Sequence, residues 1–129
     1  MYIHSFLLLS FATQLLAGPN AASHLVPSMP GWDVFTQFEM YSGYLEIEGT
    51  TKELHYVLVT SENDPANDPV IVWYNGGPGC SSMEGFATEH GPYILENGAT
   101  GFHYNPYSWN TFANVLYIEM PAGVGYSVC

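Results

Sequence analysis

A chain of 129 residues, 47% hydrophobic and 16% aromatic, carries enough apolar matter for one packed core and at most one domain, and low-complexity disorder is excluded. Twelve acidic residues stand against a single lysine, Lys52, and no arginine, for a formal net charge of −11. Such a chain builds no phosphate-binding surface, which excludes nucleic acid and anionic membranes as partners; the acidity reads as solubility or as work in an acidic compartment.

Residues 1–18 read as a signal peptide. The apolar stretch Ile3 to Leu16 is shorter than the ~20 residues a membrane span needs, and the small residues Ala17 and Gly18 follow it. Cleavage is expected near Ala17 or Ala22. The usual basic start is missing, with only His4 in its place. The expectation is entry into the secretory pathway and no stable membrane association afterwards, since no second apolar run is long enough to span. No Asn-x-Ser/Thr acceptor occurs, so N-glycosylation is not expected here.

Residues 19–30 read as an extended, Pro-punctuated lead-in, and residues 31–129 as the folded part. Residues 36–48 have strand composition, with Phe38 and Met40 and later Leu45 and Ile47 in alternation. Gly49 to Lys52 is a turn, and residues 53–60 alternate again with Leu54, Tyr56 and Leu58 on one side. The pair predicts an antiparallel hairpin. A polar loop with two prolines covers residues 61–69. Val70 to Tyr74 is a short continuous apolar run of the buried-strand type. A glycine-rich loop follows, then a short helix over residues 81–90 with Ser81 or Ser82 as N-cap. Residues 91–112 read as loop. Asn114 to Met120 is a second buried strand, closed by the glycine-rich turn Pro121-Ala122-Gly123-Val124-Gly125.

Hairpin, strand–loop–helix and strand in that order predict an α/β fold, the opening part of a mixed sheet. The loop after Val70–Tyr74 is the most informative stretch. It reads Asn75-Gly76-Gly77-Pro78-Gly79-Cys80-Ser81-Ser82. Glycines let backbone approach a ligand closely, and a strand ending in such a loop can present N–H groups to a developing oxyanion. No nucleophile accompanies them. A Gly-x-Ser-x-Gly elbow is not met at Ser81, with Met83 two residues on, nor at Ser127, with Cys129 in place of the second glycine. Pairing Ser127 with His90 or His103 has no basis in spacing. Cys80 has no basic neighbour to lower its thiol pKa. Gly123 and Gly125 lack both the GxGxxG spacing and a following basic residue, so they read as turn glycines. The five His are scattered and no CxxC occurs, so no metal is expected; nor is a cofactor. Cys80 and Cys129 could pair with each other, pair elsewhere or stay free.

The chain resembles the N-terminal portion of the serine carboxypeptidases, of the carboxypeptidase Y and cathepsin A type, within the α/β-hydrolase fold group. The resemblance rests on Tyr41-Ser42-Gly43-Tyr44-Leu45, Leu54-His55-Tyr56, Asp68-Pro69-Val70, the ten residues Trp73 to Ser82, Glu89-His90-Gly91-Pro92, Asn105 to Asn110, Ala113 to Glu119 and Pro121 to Ser127. It runs in order over about residues 30 to 127. It implies hydrolysis of C-terminal residues from peptides through an acyl-enzyme, at acidic pH, in a secreted or lysosomal/vacuolar protein. The N–H of Gly77 would be one of two oxyanion donors. Asn75, the N–H of Gly76 and Glu89 would bind the substrate's free carboxylate, with Trp73 in the same network through its indole N–H or, on the other reading, simply a core aromatic. Cys80 would form a disulfide to a later cysteine. The resemblance also implies that elbow, Asp and His lie beyond residue 129, so that these residues alone would be inactive. A truncated, non-catalytic acidic protein and an acyltransferase of the same fold are the alternatives. One departure is Met120, which stands where the family commonly has Ser.

Overall fold

The four strands expected from the sequence meet in one sheet. In a computed structural model, which describes residues 21–32, 37–96 and 98–129, β1 (Met40–Glu46) and β2 (Glu53–Val59) form the expected hairpin, in register from Met40 opposite Val59 to Glu46 opposite Glu53. Its turn is closed by the Ile47 N–H to Lys52 carbonyl bond of 2.9 Å. β3 (Val70–Trp73) leads through the glycine loop into the helix α2 (Met83–Thr88). A two-stranded ribbon, β4 (Tyr93–Ile94) with β5 (His103–Tyr104), and a 3₁₀ turn at Trp109–Thr111 fill the region read as loop. β6 (Asn114–Ile118) then enters the sheet between β2 and β3, antiparallel to the first and parallel to the second, giving the order β1-β2-β6-β3. This is the mixed sheet expected of an α/β-hydrolase opening.

Burial follows the side-chain period of two. One face gathers Phe38, Met40, Val57, Val59, Val115 and Tyr117 with Phe86 of α2, Tyr93 and Trp32. The other gathers Tyr56, Leu58, Leu116 and Ile118, with Tyr41, Leu45, Leu54 and Val72 beside them. Leu54, Tyr56 and Leu58 thus share a face, as their alternation required. Leu45 does not join Met40, because positions 40 and 45 differ in parity; the apolar pattern of β1 changes face midway. On the first face, β1 continues with Ser42 and Tyr44, and β2 with His55, which turns that end of the sheet polar.

Two further features differ from the sequence reading. The lead-in opens with one helical turn, α1 (Ala21–His24), and becomes extended from Leu25, which bridges to Tyr41 on the outer edge of β1. The helix after the glycine loop starts at Met83, and Ser82 occupies its N-cap position without a capping bond. Its hydroxyl instead donates to the Ile118 carbonyl at 2.6 Å, because Ser82 is fully buried against β6. The signal-peptide reading of residues 1–18 lies outside the described residues. Among those described, no helix is long and apolar enough to cross a membrane.

Candidate active site

β3 and β6 are adjacent and parallel, with Trp73 beside Tyr117, so their carboxyl ends open on the same side. Both end in glycine-rich turns, and a crevice outside the carboxyl ends of parallel strands is where ligands bind in open α/β sheets. The turns lie close together: a Cβ placed on Gly79 would lie 4.0 Å from the Val124 side chain. Between them lies an open cleft of about 510 Å³ lined by Tyr74, residues 75–79, Met120 and Pro121. Met120, the departure noted in the sequence, is 44% exposed and forms part of that wall.

The loop leaves its N–H groups available. Gly77 has φ +135° and Gly79 +88°, values that side chains rarely permit. A Cβ at Gly77 would also lie 3.0 Å from the N–H nitrogens of Gly79 and Cys80. The loop is closed by a bond from the Cys80 N–H to the Gly76 carbonyl of 3.2 Å. Among the described residues, the N–H groups of Gly76 and Gly77 donate to no acceptor, and both glycines are exposed. Both glycines line the cleft.

Asn75 is held from two sides. Its Oδ1 accepts from the indole N–H of Trp73 at 2.6 Å, and its N–H donates to Ser82 Oγ at 3.1 Å. The first bond fixes the amide so that Nδ2 points away from Trp73, where it donates to Glu84 Oε2 at 3.2 Å. Trp73 is a core aromatic whose indole N–H also reaches Asn75. Its ring packs on the core and on His90 and Trp109, at centroid separations of 4.3 and 5.6 Å, while its N–H orients Asn75. Glu89 lies exposed at the C-cap of α2. The acidic group that the structure brings to Asn75 is Glu84, one helical turn earlier. Asn105 holds the backbone at Glu89, donating from Nδ2 to the carbonyls of Glu89 and Gly91 at 3.2 and 2.9 Å. Both cysteines are exposed and unpaired.

Two buried groups that sequence reasoning missed adjoin Ser81 and Trp73. Glu119, which follows β6, is completely buried. Its carboxylate meets His55 Nδ1 at 2.9 Å and the Tyr126 N–H at 2.8 Å, and accepts from the Ser81 hydroxyl. His55 Nε2 meets Ser42 Oγ at 2.9 Å. The available signal was an acidic residue ending an apolar strand run directly before Pro-Ala-Gly. The second group is His90, buried with Nε2 unpartnered among the described residues and Nδ1 3.1 Å from Tyr117 Oη. Burial holds its pKa below the ordinary histidine value, with Glu89 acting weakly the other way. Ser127, the nearest match to a nucleophile elbow, is a fastener: its hydroxyl accepts from the His55 N–H and donates to the Glu119 carbonyl, both at 2.8 Å. No group of three or more His, Cys, Asp or Glu among the described residues is placed to hold a metal.

Comparisons with known proteins identify the family. The profile of the family described as serine carboxypeptidase matches residues 30–129. The chain is 50% identical to the lysosomal protective protein of Mus musculus over 121 residues, covering 94% of this chain and 25% of that protein. It is 44% identical to serine carboxypeptidase 1 of Hordeum vulgare over 117 residues, covering 86% of this chain and 23% of that protein. A prohormone-processing carboxypeptidase of Saccharomyces cerevisiae superposes with a TM-score of 0.69 at 28% identity, over 85% of this chain and 26% of that one. The chain thus spans about a quarter of the length of the relatives it matches. With two parallel strands ending in the paired glycine turns, and the family profile running across both, the chain belongs to the serine carboxypeptidase family.

Proposed function

We propose that these residues supply the oxyanion and carboxylate-binding half of a carboxypeptidase site. The protein that carries them would remove C-terminal residues from peptides through an acyl-enzyme. The observation that carries the reading is the loop at the end of β3. Two exposed, unpaired N–H groups, of Gly76 and Gly77, follow an asparagine whose amide is fixed by Trp73. Gly77 stabilises the oxyanion as a hydroxyl nucleophile adds to the scissile carbonyl. Asn75 and the Gly76 N–H take the substrate's terminal carboxylate. The nucleophile, base and acid of a Ser-His-Asp triad come from sequence outside these 129 residues, and the isolated chain has no peptidase activity.

The acidic surroundings bear on pH. Glu84 already faces the Asn75 amide, and Glu89 ends the same helix. An ionised substrate carboxylate beside an ionised glutamate is repelled, whereas a pair that shares one proton makes a short hydrogen bond. Binding through Asn75 and Glu89 therefore favours acidic pH. That fits a lysosomal, vacuolar or secretory setting, as does the likeness to a lysosomal protein.

The test uses the full-length protein and two peptides that differ only at the C-terminus. Release of the last residue from the free acid but not from the amide, with kcat/KM rising as pH falls from 7 to 5, supports the proposal. Equal cleavage of both, or internal cleavage, overturns it.

A further inference from the structure

One carboxylate joins the two glycine-rich turns. Glu119 accepts from Ser81, in the first turn, and from the N–H of Tyr126, at the end of the second. Gly125 lies so close that any side chain there would collide with the Glu119 carboxylate. The third contact, His55 Nδ1, comes from β2. Main-chain bonds reinforce the joint: the Glu119 N–H donates to the His55 carbonyl at 3.0 Å, and its carbonyl accepts from Ser127. A completely buried carboxylate is tolerated only where hydrogen bonds and a partner compensate its lost hydration. This one has three donors and, in a chain without arginine, a histidine as its ionisable neighbour.

Ser81 makes the contact consequential for catalysis. Its hydroxyl donates to Glu119 and accepts the Met83 N–H at 3.2 Å, so it links Glu119 to the first turn of α2. Ser82 ties the same stretch to the Ile118 carbonyl and to the Asn75 N–H. The loop bearing Gly76 and Gly77 is thus anchored at its far end through Ser81 and Ser82, and the Glu119 side chain also holds the opposing turn.

We propose that Glu119 is a positioning residue: through Ser81 it sets where the Gly77 N–H stands relative to the second glycine turn, with His55 as its brace. This rests on the reading of Gly77 as an oxyanion donor. An oxyanion donor acts only when placed within hydrogen-bond distance of the transition state, and displacement by about 1 Å can cost on the order of a hundredfold in rate.

The experiment uses the full-length protein with Ser81→Ala and Glu119→Gln, the free-acid peptide as substrate, and two inhibitors. One is a phosphonic acid peptide analogue, tetrahedral where the scissile carbonyl would be; the other is the released amino acid. The expected result is a fall in kcat of roughly ten- to a hundredfold with KM within about twofold. Affinity for the tetrahedral analogue falls by a similar factor and affinity for the product stays unchanged. A merely structural role would weaken both inhibitors together. If Glu119→Gln does not fold, Ser81→Ala, which removes only the tie to the loop, decides alone. An active wild type whose folded variants keep their kcat, or lose affinity for both inhibitors equally, overturns this inference and leaves the proposed function standing. A wild type without activity on the free-acid peptide overturns both.

Discussion

His90 is stacked on Trp109 with ring centroids 4.2 Å apart and planes inclined by 16°. Tyr117 lies nearly parallel to it at 5.6 Å, and Trp73 meets it edge-on at 4.3 Å. An imidazole so enclosed is held neutral: burial depresses its pKa below the ordinary value, and Glu89 offsets this only in part. The unfolded chain therefore takes up a proton at a higher pH than the folded one. Below the ordinary value of about 6.5, stability falls as pH falls. The expected outcome is that Tm drops between pH 7 and pH 5, and that His90→Phe, which keeps the stack, flattens that slope. Calorimetry at a series of pH values checks it; an unchanged slope in His90→Phe refutes it.

Gly125 and Gly49 separate two reasons for a glycine. Both have positive φ, +55° and +75°, but nothing lies within 4 Å of a Cβ at Gly49, whereas at Gly125 it meets Glu119. Gly49→Ala is expected to cost the left-handed backbone alone, about 1 kcal/mol. Gly125→Ala adds overpacking and costs about 2–4 kcal/mol. Paired denaturant titrations measure the difference. Equal losses would show that the Glu119 carboxylate moves aside freely.

Asn114 is 4% exposed and ties the loop of residues 61–68 to β6. Its Oδ1 accepts from the Ser61 N–H at 3.0 Å, and its Nδ2 donates to the carbonyls of Pro65 and Asp68 at 3.1 and 3.2 Å. Asn114→Ala leaves the buried Ser61 N–H without a partner, a cost of about 2–3 kcal/mol. It also frees the loop for proteolysis. Limited digestion should show new cleavage within residues 61–68, and retained resistance would refute the account.

Trp73→Phe keeps an aromatic ring against His90 but removes the donor that orients Asn75. If Asn75 binds the substrate carboxylate, loss of about 1 kcal/mol of orientation raises KM for free-acid peptides roughly fivefold and leaves kcat near its original value. Steady-state kinetics on the full-length protein measure this. A fall in kcat without change in KM would move Trp73 from carboxylate recognition to the chemical step.

Much of this architecture was legible in the residues. The runs Val70–Tyr74 and Asn114–Met120, bounded by glycine and proline, became β3 and β6 within two residues at their ends. The alternation of Leu54, Tyr56 and Leu58 marked β2 and its face. The glycine loop announced itself by composition, because only glycines accept the φ of Gly77 and Gly79. All of these are local: they depend on the period of side chains along a strand and on the conformations a single residue allows. What the chain does with its polar residues was not local. Ser81 and Ser82 looked alike as helix caps, yet one bonds Glu119, 38 residues away, and the other Ile118, 36 away. His55 and Glu119, 64 residues apart, meet because β2 pairs with β6 in one register; a slip of one residue would leave them on opposite faces. Glu84 rather than Glu89 reaches Asn75 because Ser82 ties the start of α2, not its end, to the Asn75 N–H. The sequence by itself determined the four strands of the main sheet, the glycine turns and the family. Only the tertiary structure decided which buried groups meet, since register and helix length place side chains that no local period relates.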